Sequence, residues 1–257
     1  MNGPINPLQI RELFHLECLR ALGRRLPPAG YAVKGGVNLR LFFRSCRYSE
    51  DMDLDVFGVG IESVKKAVMG MLGSKALLDT LKPFGIRQVV ASDLAKAKQT
   101  QTAQRFKVHL ITVAGEDLFT KIEFSRRGMQ DGVLVEPIPV AVFRPYQIPS
   151  FLASHYDVYA AVSQKIGALA GRSVVQARDI FDLYVLNSQV PSGKAKALAS
   201  AGKITEAVKN LYSVTFEQFR DTVVAYLDYE DQAAYASPAA WDGLKLQVAE
   251  FLEGLRK

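Results

Sequence analysis

Cysteine is nearly absent from this sequence: Cys18 and Cys46 are the only two in 257 residues. Two cysteines with no metal-ligand spacing offer neither a disulfide framework nor a zinc site, and they suit a reducing cytoplasm. Histidine is almost as scarce. His15, His109 and His155 have no partner at ligand spacing, so structural roles are expected for all three. No run approaches the roughly 20 uncharged apolar residues that a membrane span needs. The opening, MNGPINPLQI, has neither a basic stretch nor an apolar core, so no signal peptide is expected. Repeats and low-complexity tracts are also missing, which leaves an ordinary globular chain.

What is present fits that class. A length of 257 residues suits one large domain or two small ones, with enough chain to bury a core without staples. The net charge of +6 favours an anionic partner such as a nucleotide, a nucleic acid or an acidic protein. Many soluble proteins carry this charge without such a role, so charge alone does not choose among them.

Apolar spacing predicts an amphipathic helix over 7–26, ended by Pro27-Pro28. YAVKGG then reads as a short strand entering a glycine turn, VNLRLFFRS as a helix, MDLDVFG as a strand and 61–82 as a helix. Two further strands are expected at 105–113 and 117–125. The passage VEPIPVAVFRPYQIPSF, with Pro137, Pro139, Pro145 and Pro149, is the candidate domain boundary. Beyond it nearly everything reads as helix: 156–171, 175–188, 194–211, 215–228 and 238–256. The expected class is α+β, with a mixed α/β domain at 1–150 and an all-helical domain at 151–257, a division that can place a cleft between them.

The chemistry concentrates at Asp51-Met52-Asp53-Leu54-Asp55. Alternate strand side chains share a face, so the three aspartates point one way and Met52, Leu54 and Val56 the other. Like charges so arranged repel unless a cation sits among them, and oxygen ligands of this kind suit Mg²⁺. The plainer reading is a solvated strand edge that discourages aggregation. Upstream, Lys34-Gly35-Gly36 sits where a strand opens into a helix, and adjacent glycines there let backbone N–H groups approach a phosphate. In DLFTKIEFS, Lys121, Glu123 and Ser125 share a face opposite Ile122 and Phe124, which read alone is a wet strand side with a Lys–Glu pair. The stretch 94–107, with Lys96, Lys98, Arg105 and Lys107, either follows a nucleic-acid backbone or is a solvated loop.

The run KGGVNLRLFFRSCRYSEDMDLD resembles the nucleotidyltransferase superfamily pattern of Gly-Gly followed by Asp-x-Asp. More narrowly, it is similar to the AbiEii/AbiGii toxin family. The second half carries a matching block, with Lys165, Ala168, Leu169 and Arg172 and then Arg178, Asp179, Asp182 and Leu183. Read from the residues alone, these would be ion pairs joining two helices.

The resemblance implies a nucleotidyltransferase fold with a helical C-terminal domain, and Mg²⁺ held by Asp51, Asp53 and a third carboxylate. Glu123 is the first choice for the third ligand and Asp55 its competitor. The nucleotide triphosphate would lie at Lys34, Gly35, Gly36 and Ser49. Lys165 would contact phosphates, oriented by Asp182 or Asp179, with Arg172 a weaker phosphate candidate. The implied activity is transfer of a nucleotide from an NTP to a hydroxyl, on RNA such as the tRNA acceptor end. The implied partner is an antitoxin protein. The rivals are a non-toxic enzyme modifying an antibiotic or protein, and a non-catalytic NTP-binding protein.

Overall fold

A computed structural model describes residues 5–91, 99–128, 131–191 and 198–256. Lys96 and Lys98 of the basic stretch lie outside these residues, as does the start of the helix expected from 194. The chain divides into two compact units. One takes the chain through Leu41 together with Tyr48–His155, and the other takes Phe42–Arg47 and everything from Tyr156 onward.

The first unit opens with α1 (Pro7–Leu22), started by an Asn6–Gln9 capping box and ended at Gly23. The helix stops short of the expected Pro27-Pro28, with Gly23 as its C-cap and the chain continuing in turns to Leu26. β1 (Tyr31–Lys34) runs into α2 (Gly35–Phe42), and β2 (Met52–Val56) follows. The single helix expected over 61–82 is two, α3 (Ile61–Leu72) and α4 (Lys75–Leu81). Gly73 ends the first, and the Ser74 side chain accepts the Leu77 N–H to start the second.

Next come β3 (Ile86–Ala91), β4 (Ala103–Thr112) and β5 (Asp117–Ser125). The proline-rich passage is not simply a linker. It contains β6 (Val133–Pro137), the short α5 (Val140–Phe143) and β7 (Leu152–Tyr156), which is parallel to β1. The sheet order is β3-β4-β5-β2-β1-β7-β6. Strand β3 escaped the sequence reading because it is an edge strand whose side chains are mostly wet and show no clean alternation.

Alternation separates the faces of the central strands. Met52, Leu54, Phe106, Val108, Ile122 and Phe124 are buried on one side, while Lys121 and Glu123 stay half-exposed on the other. The first helix meets the apolar side through Arg11, whose Nε donates to the Phe119 carbonyl, and through His15. Thr120 donates its hydroxyl proton to the Glu50 carbonyl at 2.6 Å, so it accepts from His15 Nε2–H at 2.9 Å. His15 is therefore the Nε2–H tautomer. The chain entering the acidic strand is thus fixed from behind, through a histidine and a threonine that the sequence marks only as core.

The second unit is helical, as expected: α6 (Val158–Gly171), α7 (Ala177–Asn187), α8 (Ala201–Tyr212), α9 (Phe216–Thr222), α10 (Tyr229–Tyr235) and α11 (Pro238–Gly254). Its core includes Phe219 stacked on Trp241, ring centres 4.3 Å apart, with Phe181 and Tyr235 edge-to-face beside them. Trp241 Nε1 donates to the Val214 carbonyl, so the indole is buried without an orphaned donor.

Burial and the neighbouring Arg11 push His15 down to about 3. Between the ordinary value of 6.5 and that value, the unfolded chain holds a proton that the folded chain lacks, so stability falls as pH falls through this window. Chemical denaturation between pH 7 and pH 4 should show a stability slope of up to about 1.4 kcal/mol per pH unit from this residue. His15→Gln should flatten that slope.

Candidate active site

The acidic strand lies at the centre of the sheet, and its register brings four charges into one row. Lys34 on β1 pairs across with Asp53 on β2, Asp53 with Glu123 on β5, and Glu123 with Arg105 on β4. Two carboxylates therefore stand side by side on parallel strands with a cation on each flank. Asp51 and Asp55 extend the acidic patch above and below. Burial and the adjacent Glu123 push the Asp53 carboxyl above its usual range, with Asp51 adding to the shift and Lys121 and Lys34 opposing it.

The other carboxylates are each held by a cation. Lys121 Nζ is 2.7 Å from Asp51 Oδ2, an Arg105 guanidinium nitrogen is 2.7 Å from Glu123 Oε2, and Lys34 Nζ is 2.5 Å from Asp55 Oδ1. Among the described residues Asp53 alone of the four has no cation within 4 Å. The expected Lys121–Glu123 pair is thus replaced by two others, because Arg105 arrives from the neighbouring antiparallel strand. Asp55 is 4% exposed and closed off by Lys34, whereas Asp51 and Glu123 remain half-exposed. That difference favours Glu123 over Asp55 as the third carboxylate.

Glycine is required at position 35. Its φ is +65°, in the left-handed region, and a Cβ there would stand 3.3 Å from Asp53 Oδ2. Gly35 and Gly36 open α2, so the first turn of a helix lies beside the central aspartate. Ser49 is a shaping residue here: its hydroxyl donates to the Asp51 carbonyl at 2.9 Å, tightening the turn into the strand. Behind it Arg40 lies 4.0 Å over the Tyr48 ring and pairs with buried Glu12, which also accepts from the Tyr146 hydroxyl.

The donor set of Asp51, Asp53 and Glu123 is all carboxylate, and the charge repulsion at Asp53 is what a divalent ion relieves. Among the described residues, however, no three acidic, histidine or cysteine side chains are gathered around a single ion position. Asp51 and Glu123 lean instead toward Lys121 and Arg105. The chemistry fits a hard cation, and those two side chains must turn toward Asp53 to hold one.

In the helical unit, the second motif block forms a buried ion cluster. Lys165 Nζ lies 3.0 Å from Asp179 Oδ1 and 2.6 Å from Asp182 Oδ2. Arg172 Nε is 2.8 Å from Asp179 Oδ2, and an Arg47 guanidinium nitrogen is 3.1 Å from Asp182 Oδ1. Three cations thus face two fully buried aspartates. Burial alone would push Lys165 down and Asp182 up, but their mutual attraction, with Arg47 and Asp179, outweighs it in both directions. Lys165 is held protonated, and Asp182 sits below the usual carboxylate range. The sequence reading did not assign Arg47, because nothing local ties it to a residue 135 positions away.

Two outcomes follow from these charges. Asp53→Asn should raise the melting temperature of the chelator-treated protein at neutral pH, since it removes a carboxylate whose ionised form the fold disfavours. Asp182→Ala should cost about 3–5 kcal/mol in chemical denaturation, since Lys165 and Arg47 lose a shared buried counter-charge. Wild type should keep the Asp182 contribution at all pH values above 3.8, losing it only on acidification through the depressed folded value.

No functionally curated sequence matches this chain. Solved structures share its fold at low identity. JHP933 from Helicobacter pylori is 16% identical, with a TM-score of 0.57 over 98% of this chain and 96% of that one. MenT4, the nucleotidyltransferase toxin Rv2826c from Mycobacterium tuberculosis H37Rv, is 15% identical, with a TM-score of 0.56 over 98% of this chain and 86% of that one. A family model described as the nucleotidyl transferase AbiEii toxin of type IV toxin–antitoxin systems matches residues 18–245. With that match across both motif blocks, the chain belongs to the AbiEii nucleotidyltransferase toxin family.

Proposed function

We propose that this nucleotidyltransferase uses Mg²⁺ to transfer a nucleotide from an NTP to a hydroxyl on RNA, such as the tRNA acceptor end, and that an antitoxin protein counters it. The observation that carries this reading is the row Lys34–Asp53–Glu123–Arg105 beside Gly35 at the start of a helix. Asp51, Asp53 and Glu123 would hold the metal, which supplies charge neutralisation for the triphosphate. Lys34, Gly35, Gly36 and Ser49 would lie along the phosphates, with the Ser49 hydroxyl also bonded to the Asp51 carbonyl in this conformation. In the transfer, a bond forms between the acceptor oxygen and the α-phosphorus. The bond from that phosphorus to the bridging oxygen breaks, pyrophosphate leaves, and the proton of the acceptor hydroxyl passes to water.

For Lys165 the proposed role is contact with phosphate, oriented by Asp179 and Asp182, with Arg172 alongside. Its support is that the cluster keeps the ammonium charged.

The test incubates the protein with each labelled NTP, Mg²⁺ and total RNA, and follows label in the RNA. Wild type should label RNA, and both chelation and Asp51→Ala should lower labelling by several orders of magnitude, as expected when charge stabilisation of the transition state is lost. Equal labelling by Asp51→Ala would exclude the site. Label found only on a small molecule or a protein would move the acceptor away from RNA.

A further inference from the structure

The two cations on the wet sheet face differ from Lys34 in a way that suggests a use. Lys34 closes on Asp55, which is buried, whereas Lys121 and Arg105 close on carboxylates that stay half-exposed. Lys121 and Arg105 are themselves solvent-reachable, with side chains 28% and 37% exposed. Lys121 is on the strand beside Asp53, and Arg105 is one strand further on, across Glu123; among the described residues Asp53 is the carboxylate with no paired cation. In this conformation the site supplies its own counter-charge, and that counter-charge occupies two of the three donors a metal would need.

We propose that Lys121 and Arg105 are exchangeable counter-ions. Without metal they hold Asp51 and Glu123. Once a divalent ion takes those carboxylates, the released ammonium and guanidinium bind phosphoryl oxygens of the arriving triphosphate. The exchange requires no new charge in the site. Each cation leaves one oxyanion for another, and Arg105 in particular offers a planar fork suited to phosphate. The inference rests on the metal-site reading of the proposed function.

The exchange predicts opposite effects from one substitution. Lys121→Met and Arg105→Met each remove a competitor for a carboxylate, so Mn²⁺ alone should bind several-fold more tightly by calorimetry. The same variants should bind inorganic tripolyphosphate with saturating Mg²⁺ about tenfold more weakly, the loss expected for one charge-assisted hydrogen bond. Lys121→Arg keeps the contact and should stay near wild type in both titrations, which separates contact from a folding defect. Lys107→Met removes the same charge directly across from Lys121 without touching a carboxylate, and should move neither titration by more than twofold.

If Lys107→Met matches Lys121→Met, general charge explains the effect and the exchange is overturned. It is overturned as well if wild type binds Mn²⁺ but the Met variants bind it no better. Wild type that binds no Mn²⁺ at all would instead refute the metal-site reading beneath it.

Discussion

Asp53 and Glu123 stand directly abreast on two parallel strands at the middle of the sheet. Burial and the neighbouring Glu123 raise the cost of ionising Asp53, and the fold places cations around the pair. Lys34 and Arg105 flank the row, Lys121 takes Asp51, and among the described residues Asp53 is the carboxylate with no paired cation. Most other features near the site can be traced to this crowding. Gly35 suits its place because its φ is +65° and a Cβ there would crowd Asp53 Oδ2 at 3.3 Å, and Asp55 is a buried partner of Lys34.

The acidic row holds its place because the opposite face of the same strands is packed and hydrogen-bonded. Met52 and Leu54 alternate with the aspartates and are fully buried. A neutral histidine on α1 donates to Thr120, which in turn grips the Glu50 carbonyl one residue before Asp51. Glu12, Arg40, Tyr48 and Tyr146 add a second brace around the turn. A carboxylate set that must accept a cation at a fixed place gains from such support, since loosely held donors would turn away from one another.

The helical unit meets the same electrostatic problem with the signs reversed. There two buried aspartates are surrounded by Lys165, Arg172 and Arg47, and the excess charge is positive. Buried ion clusters contribute little net stability when complete and cost much when broken, so this one constrains geometry more than it adds stability. Its membership crosses the sequence: Arg47 comes from the short stretch between α2 and β2, while its partner Asp182 is on α7.

Periodicity carried most of the fold. The alternation at Asp117–Ser125 and the apolar spacing of the helical second half are local, and each was legible from the chain alone. Caps at Gly23 and Ser74 were also present in the sequence, yet they compete with hydrophobic periodicity, and only the folded chain showed which prevailed. The same holds for the prolines near 137–149, which read as a domain boundary, while β7 just after them pairs with β1.

At the site, the spacing of Asp51, Asp53 and Asp55 determined by itself that like charges would share one strand face, because side-chain alternation is a property of the strand alone, whereas the approach of Gly35 to Asp53 depends on the pairing of β1 with β2. Which cation answers which carboxylate was decided only by register. Arg105 reaches Glu123, and Lys121 reaches Asp51, through pairings between strands that no local pattern encodes.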